Sequence, residues 1–459
     1  ILIFMVIQSY SPLTQELLAE YTENTFDELN AVLARSKDAQ KDWAARTPED
    51  RIALLQALKV PFEKNMQALA AKVREECGFA ERETTDALYD IIDAIDYFTT
   101  QYQKQQTIDF PIDQNVFPES TCEIQRYPQG VVVQIGIWNF PVWQTMISAI
   151  PALLTGNSVV FKPSEYATGV GLLLHEIIHQ TEGFPKDIFQ TVIGGKEQGE
   201  YLVAADVDAI VYTGNVQTGK EILSKAGTKA TIVELSGNDA AIVCDDCNLE
   251  QAVAGIVPGA FLHSGQVCDR VKRVYVVRNI AEEFLAKLVE KTESVHANIT
   301  PLISAEALNK VDVQVKQTCT EGAKILTGGK IKGGWTYEPT VLQLEHNDVL
   351  SVREEIFGPV LSVLVVDDEA QAMQYANATQ YGLGTGIWTQ DYKKGSELAQ
   401  EAESGMVWIN DSNIPLTGGE YFRGWKSTSI PGTADRLSQF QKTKTVITFK
   451  SKGRREWWF

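Results

Sequence analysis

The chain has no apolar run long enough to cross a bilayer: the opening ILIFMVI is seven residues, against roughly 20 for a spanning helix. It reads as a strand. Positive charge is scarce, with 41 Lys and Arg against 60 Asp and Glu and a net charge of -19. Such a surface is repelled by nucleic-acid phosphates and by anionic lipid. Neither nucleic acid nor membrane is therefore expected as a partner; a small molecule or another copy of the chain is. Cysteine is sparse as well. Six thiols in 459 residues, without regular spacing, fit a compartment that keeps them reduced, and a cytoplasmic location is expected. Cys244 and Cys247 have CxxC spacing, but zinc would want a second pair and a redox motif a helix N-terminus. No metal is expected. Low-complexity tracts are missing too, and a 44% hydrophobic, 22% charged composition belongs to an ordered globular chain. It is too long for one compact core, so it implies several domains or one large α/β unit with additions.

Residues 26–105 carry apolar side chains at three- and four-residue spacing, as in FDELNAVLARSKDAQKDWAA, and predict helices packed on a sheet. From 131 the pattern becomes short β-branched runs separated by helix-length segments: VVVQIGI, SVVFKPS, DIFQTVIG, AIVYTG and ATIVEL. This predicts a parallel, doubly wound sheet. A second series, AAIVCDD, RVYVV, VLSVLVV and GMVWIN, predicts a second α/β domain. TIDFPIDQNVFPESTCEIQRYPQG reads as a hairpin arm and KTVITFK as a terminal strand. Such pieces are not stable alone in water, so they imply pairing with a partner subunit. The fold class is thus α/β. A Rossmann-like dinucleotide-binding domain spans 1–105 and 129–236, a catalytic domain 237–435, and a small β oligomerisation arm and tail 106–128 and 436–459.

The usual GxGxxG dinucleotide fingerprint is missing, since VVVQIGIWNFP offers only Gly136. Two other turns remain. SVVFKPSE sets Lys162 and Glu165 just beyond a strand, and AIVYTGNVQTGK sets Gly214 and Gly219 between a strand and a helix. Open α/β sheets bind ligands at strand C-termini. Lys162 and Glu165 would suit ribose hydroxyls, and the start of the 216–226 helix a pyrophosphate. Both turns are equally consistent with ordinary surface loops.

HSGQVCDRVKR, VELSGND, GIWNFP, KPSE and EEIFGP occur together in the order and spacing of aldehyde dehydrogenases, which the chain resembles from about residue 10 to 450. The short N-terminus and the FQTVIGG and GQVC contexts look most like the bacterial succinate-semialdehyde dehydrogenase-like branch. The resemblance implies oxidation of an aldehyde to a carboxylic acid with NAD, or NADP, through a thiohemiacetal and a thioester. Cys268 matches the nucleophile; a thiol attacks carbonyls well even when little of it is ionised. Asn139 matches the donor to the oxyanion, shared with the Cys268 N–H. Glu234 matches the base that activates water against the thioester. Lys162 and Glu165 match the adenine-ribose contacts, and Gly214, Asn215 and Gly219 the turn over the pyrophosphate. Ile135 and Trp138 lie in the strand-end segment beside the cofactor, and Glu355 and Phe357 match the grip on the nicotinamide ribose and ring. Trp143, Arg270 and Phe422 are expected in the substrate pocket. The chain departs from the family pattern at Ile137, where Pro is usual, at Asn215, where Ser is usual, and at Ser236, where Gly is usual. GEYFRGWKSTSIPG, with Arg423, likewise departs from PFGGxKxSG.

Competing readings are present. LLLHEIIHQ holds His175, Glu176 and His179 in the HExxH spacing of zinc metalloproteases; a polar stripe on a crossover helix explains it equally. A coenzyme A-acylating relative would share Cys268 but tends to lack the glutamate base. A noncatalytic relative would not need Cys268, Glu234 and Asn139 together. Arg270 and Arg423 would either bind the distal carboxylate of a semialdehyde or form structural ion pairs. The arm and tail suit a homodimer or a homotetramer.

Overall fold

The computed structural model describes residues 5–105, 108–113, 120–411, 413, 423–429 and 435–449. Among them, β1 (Val6–Tyr10) and β2 (Leu17–Thr22) pair antiparallel, so the opening apolar run does lead into a strand. Four helices follow, Phe26–Ala45, Pro48–Ala57, Lys59–Cys77 and Glu81–Lys104, where the helical spacing of apolar residues predicts them. Local chemistry sets their ends. Thr25 and Glu28 exchange side-chain and backbone hydrogen bonds in a capping box, a device whose loss costs about 1 kcal/mol. Thr47 caps the second helix, with Pro48 in its first turn. Gly78 closes the third at φ +80°, where side chains other than glycine are strained.

β3 (Ile108–Phe110) and β4 (Thr121–Pro128) form the expected hairpin. β5 (Val131–Ile135), β6 (Ser158–Lys162), β7 (Phe189–Thr191), β8 (Ala209–Gly214) and β9 (Ala230–Leu235) then make a wholly parallel sheet in the order β7-β6-β5-β8-β9. The strand order reverses between β5 and β8. In open α/β sheets that switch point, beyond the strand C-termini, is where ligands bind.

The second large sheet combines β10 (Asp239–Val243), β11 (Val271–Val277), β12 (Ala323–Thr327), β15 (Thr340–Leu344), β16 (Val360–Val366), β17 (Gly384–Trp388) and β18 (Met406–Ile409), with a small hairpin of β13 (Ile331–Gly333) and β14 (Thr336–Tyr337) outside it. Its order is β12-β15-β16-β11-β10-β17-β18, parallel except for the antiparallel β12–β15 pair. Strands such as β10 and β11 are buried along their whole length, which is why they read as continuous apolar runs rather than alternating ones. β12, β15 and β17 escape a reading by β-branched runs; β17, GTGIW, opens on small residues that pack against Asp239, Asn413 and Trp408.

β19 (Gln441–Thr448) pairs with β4 over eight residues, in a sheet ordered β19-β4-β3. The terminal strand therefore closes on the arm of its own chain. Just before it, Leu437 and Phe440 are buried in the core of the first sheet, and this anchors residue 436 close to the ends of that sheet's strands.

Candidate active site

A cavity of about 1180 Å³ opens at the C-terminal ends of β5, β6, β8 and β9 and reaches the turn that precedes β11. Ile135, Trp138, Asn139, Trp143, Lys162, Glu165, Gly214, Asn215, Glu234, Cys268, Arg270, Glu355 and Phe357 all line it. Residues far apart in sequence thus share one space. Gly219 does not line it, and Arg423 does not either; Phe422 lies outside the described residues.

Cys268 stands at the end of an unusual backbone segment. His263, Ser264 and Gly265 have φ values of 48°, 55° and 73°, a left-handed run that costs side-chain-bearing residues on the order of 1–3 kcal/mol each. Tertiary contacts hold it. The His263 ring stacks between Phe79 at 4.2 Å and Phe140 at 4.5 Å, and the Ser264 hydroxyl donates to the Thr300 carbonyl at 2.7 Å. Arg270 Nε donates to the Gly265 carbonyl at 2.6 Å. The next residue, Gln266, accepts at its carbonyl from Asn139 Nδ2 at 2.9 Å, so the WNFP loop and the GQVC turn are locked together. A second N–H on the same Asn139 nitrogen remains for the cavity.

Behind Cys268 lies a buried ionic cluster. Lys272 Nζ donates to the carbonyls of Val267 and Cys268 and pairs with Glu355 at 3.0 Å. Asp239 and Asp269 are buried beside it. Burial pushes the Cys268 thiol well above its ordinary pKa; Asp269, Glu355 and Asp239 add to this and Lys272 opposes it. The resting nucleophile is therefore a thiol. Its Sγ lies 3.8 Å from Asp269 Oδ1, as a donor to that carboxylate. Burial raises the Asp269 carboxyl to about 6.

Arg270 corrects an expectation. Its five N–H groups go to five backbone carbonyls: Nε to Gly265, Nη1 to Val271 and Val360, and Nη2 to Ile356 and Gly358, at 2.6–3.0 Å. A guanidinium has five donors, so none is left for a substrate carboxylate. Arg270 instead ties the turn before Cys268 to the IFGP segment.

Glu234, at the end of β9, is held from two sides. Arg436 Nη2 donates to Oε1 at 2.8 Å, and Gln144 Nε2 donates to Oε2. Neither partner is evident in the sequence. Arg436 is 202 residues away in a segment assigned to the tail, and Gln144 follows the WNFP motif without belonging to it. Asp269 and Lys272 were in plain view within HSGQVCDRVKR, but only packing shows that they flank the thiol.

At the cofactor end, Lys162 Nζ donates to the carbonyls of Pro163 and Gly194 at 2.9 and 2.6 Å, with Glu165 at 3.9 Å. Burial lowers the Lys162 pKa, against the pull of Glu165 and Glu23. A third N–H and the half-exposed Glu165 carboxylate face the cavity mouth, matching ribose hydroxyls. Gly214 is followed by Asn215, whose side chain caps the helix Val216–Ala226 by accepting from the Thr218 N–H at 2.8 Å. Asparagine caps as well as the serine usual at that position. A Cβ on Gly214 would run into the Tyr212 hydroxyl, and one on Gly219 would meet Leu235 at 2.5 Å. Gly219 thus lets the helix approach the sheet, bringing its N-terminus to the switch point. Trp138 meets Phe357 edge-on at 5.7 Å, and Phe357 lines the cavity near Glu355. These residues fit a dinucleotide.

The HExxH reading fails. His175 and His179 pack edge to face at 4.3 Å on the helix Thr168–Ile178 and its cap. His179 Nε2 meets the Phe189 carbonyl at 2.9 Å, and no third ligand joins them among the described residues. Burial holds His175 near pKa 4. Cys244, Asp246 and Glu369 do cluster. Lys394 already sits on both carboxylates, at 3.2 and 3.1 Å, and burial pushes the Cys244 thiol up to about 12.

Comparison with known proteins agrees with this geometry. The model of the aldehyde dehydrogenase family matches residues 5–446. Betaine aldehyde dehydrogenase of Sinorhizobium fredii is 33% identical over 96% of this chain and 93% of its own. Lactaldehyde dehydrogenase from Escherichia coli superposes with a TM-score of 0.92 at 29% identity, covering 97% of this chain and 96% of its own. Betaine aldehyde dehydrogenase from Staphylococcus aureus, in complex with NAD+, does so at 0.92 and 29%, over 98% and 93%. With a buried thiol, an amide donor and a carboxylate gathered at a dinucleotide-shaped crevice, the chain belongs to the aldehyde dehydrogenase family, NAD(P)-dependent oxidoreductases acting on aldehydes.

Proposed function

We propose that this enzyme oxidises an aldehyde to the free carboxylic acid, with Cys268 as nucleophile, Asn139 as oxyanion donor and Glu234 as the base for thioester hydrolysis. The observation that carries this reading is the convergence of these three side chains on one cavity. Cys268 adds to the carbonyl carbon, and the negative charge moves to the oxygen, where the free N–H of Asn139 can meet it. The nicotinamide, when bound, accepts the hydride. Lys162 and Glu165 would hold its adenine ribose, Glu355 and Phe357 the far end, and Gly214 and Asn215 the turn at the pyrophosphate. Both Glu234 oxygens are engaged, so taking a proton from water requires release of the Gln144 contact. NAD should be preferred to NADP, because the Glu165 carboxylate accepts from a ribose hydroxyl but repels a phosphate. The exposed three-stranded sheet of β3, β4 and β19 suits a homodimer or homotetramer.

The substrate side of the cavity favours an aldehyde without a distal carboxylate. Arg270 has no donor to offer, whereas Glu83, Asp86 and Asp90 line the wall with Phe140 and Trp143. Burial raises Glu83 to about 7, and a cation beside it would favour its ionised form. Aromatic faces and carboxylates together suit a substituted ammonium. The test is NADH formation from a panel containing betaine aldehyde, lactaldehyde and succinate semialdehyde, without and with coenzyme A. Highest kcat/KM for the cationic aldehyde, with no need of coenzyme A, is expected. A preference for succinate semialdehyde would overturn the substrate reading, and strict dependence on coenzyme A the hydrolytic one.

A further inference from the structure

Something must take the proton of a thiol that its surroundings keep un-ionised. Glu234 is poorly placed for this, because Arg436 and Gln144 occupy both of its oxygens. Asp269, the next residue along the chain, lies against the sulfur at 3.8 Å, is itself buried, and lines the same cavity. We propose that the Asp269 carboxylate is a catalytic base that accepts the Cys268 thiol proton as the sulfur attacks the aldehyde. This rests on Cys268 being the nucleophile.

The step balances. The S–H bond breaks and its proton goes to Asp269 Oδ1; the S–C bond forms; the carbonyl π pair moves to oxygen, beside Asn139. Charge passes from Asp269 to the substrate oxygen without residing on sulfur. That route avoids a thiolate next to Glu355 and Asp239, which would be disfavoured in so desolvated a site. When the thioester is later cleaved, Asp269 returns the proton to the departing sulfur. The groups facing Asp269 are Cys268 on its own turn, Lys272 from β11, Asp239 from β10 and Glu234 from β9, with Glu355 joined through Lys272. Lys272 is the cation among them, and its ammonium is tied to two carbonyls and Glu355. A carboxyl near 6 is ionised at neutral pH, yet basic enough to accept a proton.

The experiment is alkylation of the whole enzyme by iodoacetamide, without cofactor, followed across pH, with the labelled cysteine identified by peptide mapping. In the wild type the rate at Cys268 should fall as pH drops through about 6, where Asp269 becomes protonated. Asp269→Asn should lose that limb and react roughly 100-fold more slowly near neutral pH, its rate rising only where the thiol ionises by itself. Glu234→Gln should keep the limb. An unchanged profile in Asp269→Asn overturns the proposal, and so does loss of the limb in Glu234→Gln, an arm that decides the matter even if the Asp269 variant does not fold. Label on a cysteine other than Cys268 would instead overturn the nucleophile assignment beneath it.

Discussion

The two walls of the cavity handle charge in opposite ways. On the dinucleotide wall, backbone geometry dominates: a helix N-terminus, glycines where a Cβ would collide, and a carboxylate, Glu165, that remains 45% exposed. On the nucleophile wall, Asp239, Asp269, Arg270, Lys272 and Arg273 are each no more than 5% exposed. Their donors hold the turn that carries Cys268. Binding a large polar ligand asks for reach and open donors, so that wall is wet and its charges are screened. Orienting one sulfur against one carbonyl asks for rigidity, so that wall is dry and its charges interact strongly.

The contrast can be tested from its strongest consequence downward. Cys268→Ala should abolish NADH formation while leaving the dinucleotide dissociation constant within about threefold of wild type, measured by calorimetry. A large loss of cofactor affinity would mean that the two walls are not independent. Arg270→Met should destabilise the fold by roughly 2–4 kcal/mol, since each buried acceptor left without a donor costs about 1–3 kcal/mol and water replaces only some of them. The thermal midpoint should fall while the ratio of kcat/KM values for cationic and acidic aldehydes stays constant. If that ratio moved toward the cation alone, Arg270 would be a substrate contact after all. Glu165→Gln should have the smallest effect, raising the NADP-to-NAD ratio of kcat/KM by about three- to tenfold, as expected for one exposed charge worth about 1 kcal/mol. No change there would remove Glu165 from cofactor selection.

Much of the first sheet was legible because its strands are short, β-branched and buried on both faces, and because helices of regular period separate them. Its five strands fall on the five runs read from sequence. The second sheet was half legible. β10, β11, β16 and β18 carry the same signature, but β12 pairs antiparallel with β15, and β17 owes its place to close packing that small residues permit. The arm hairpin was visible in its turn residues. Its partner was not, since the antiparallel pairing of β19 with β4 joins segments about 300 residues apart.

The amino-acid sequence by itself determined which chemistries this protein carries: a thiol, an amide and a carboxylate in recognisable local settings, and helix caps such as Thr25 and Asn215 whose partners lie within three residues. These are short-range matters, decided by side-chain type and spacing. Only the tertiary structure decided what each group touches. It seats Asp269 rather than Glu234 on the Cys268 sulfur, spends every Arg270 donor on backbone, and brings Arg436 to Glu234 from the far end of the chain. The physical reason is that burial and charge partners set the reactivity of these groups, and both depend on contacts across long stretches of sequence that no local pattern encodes.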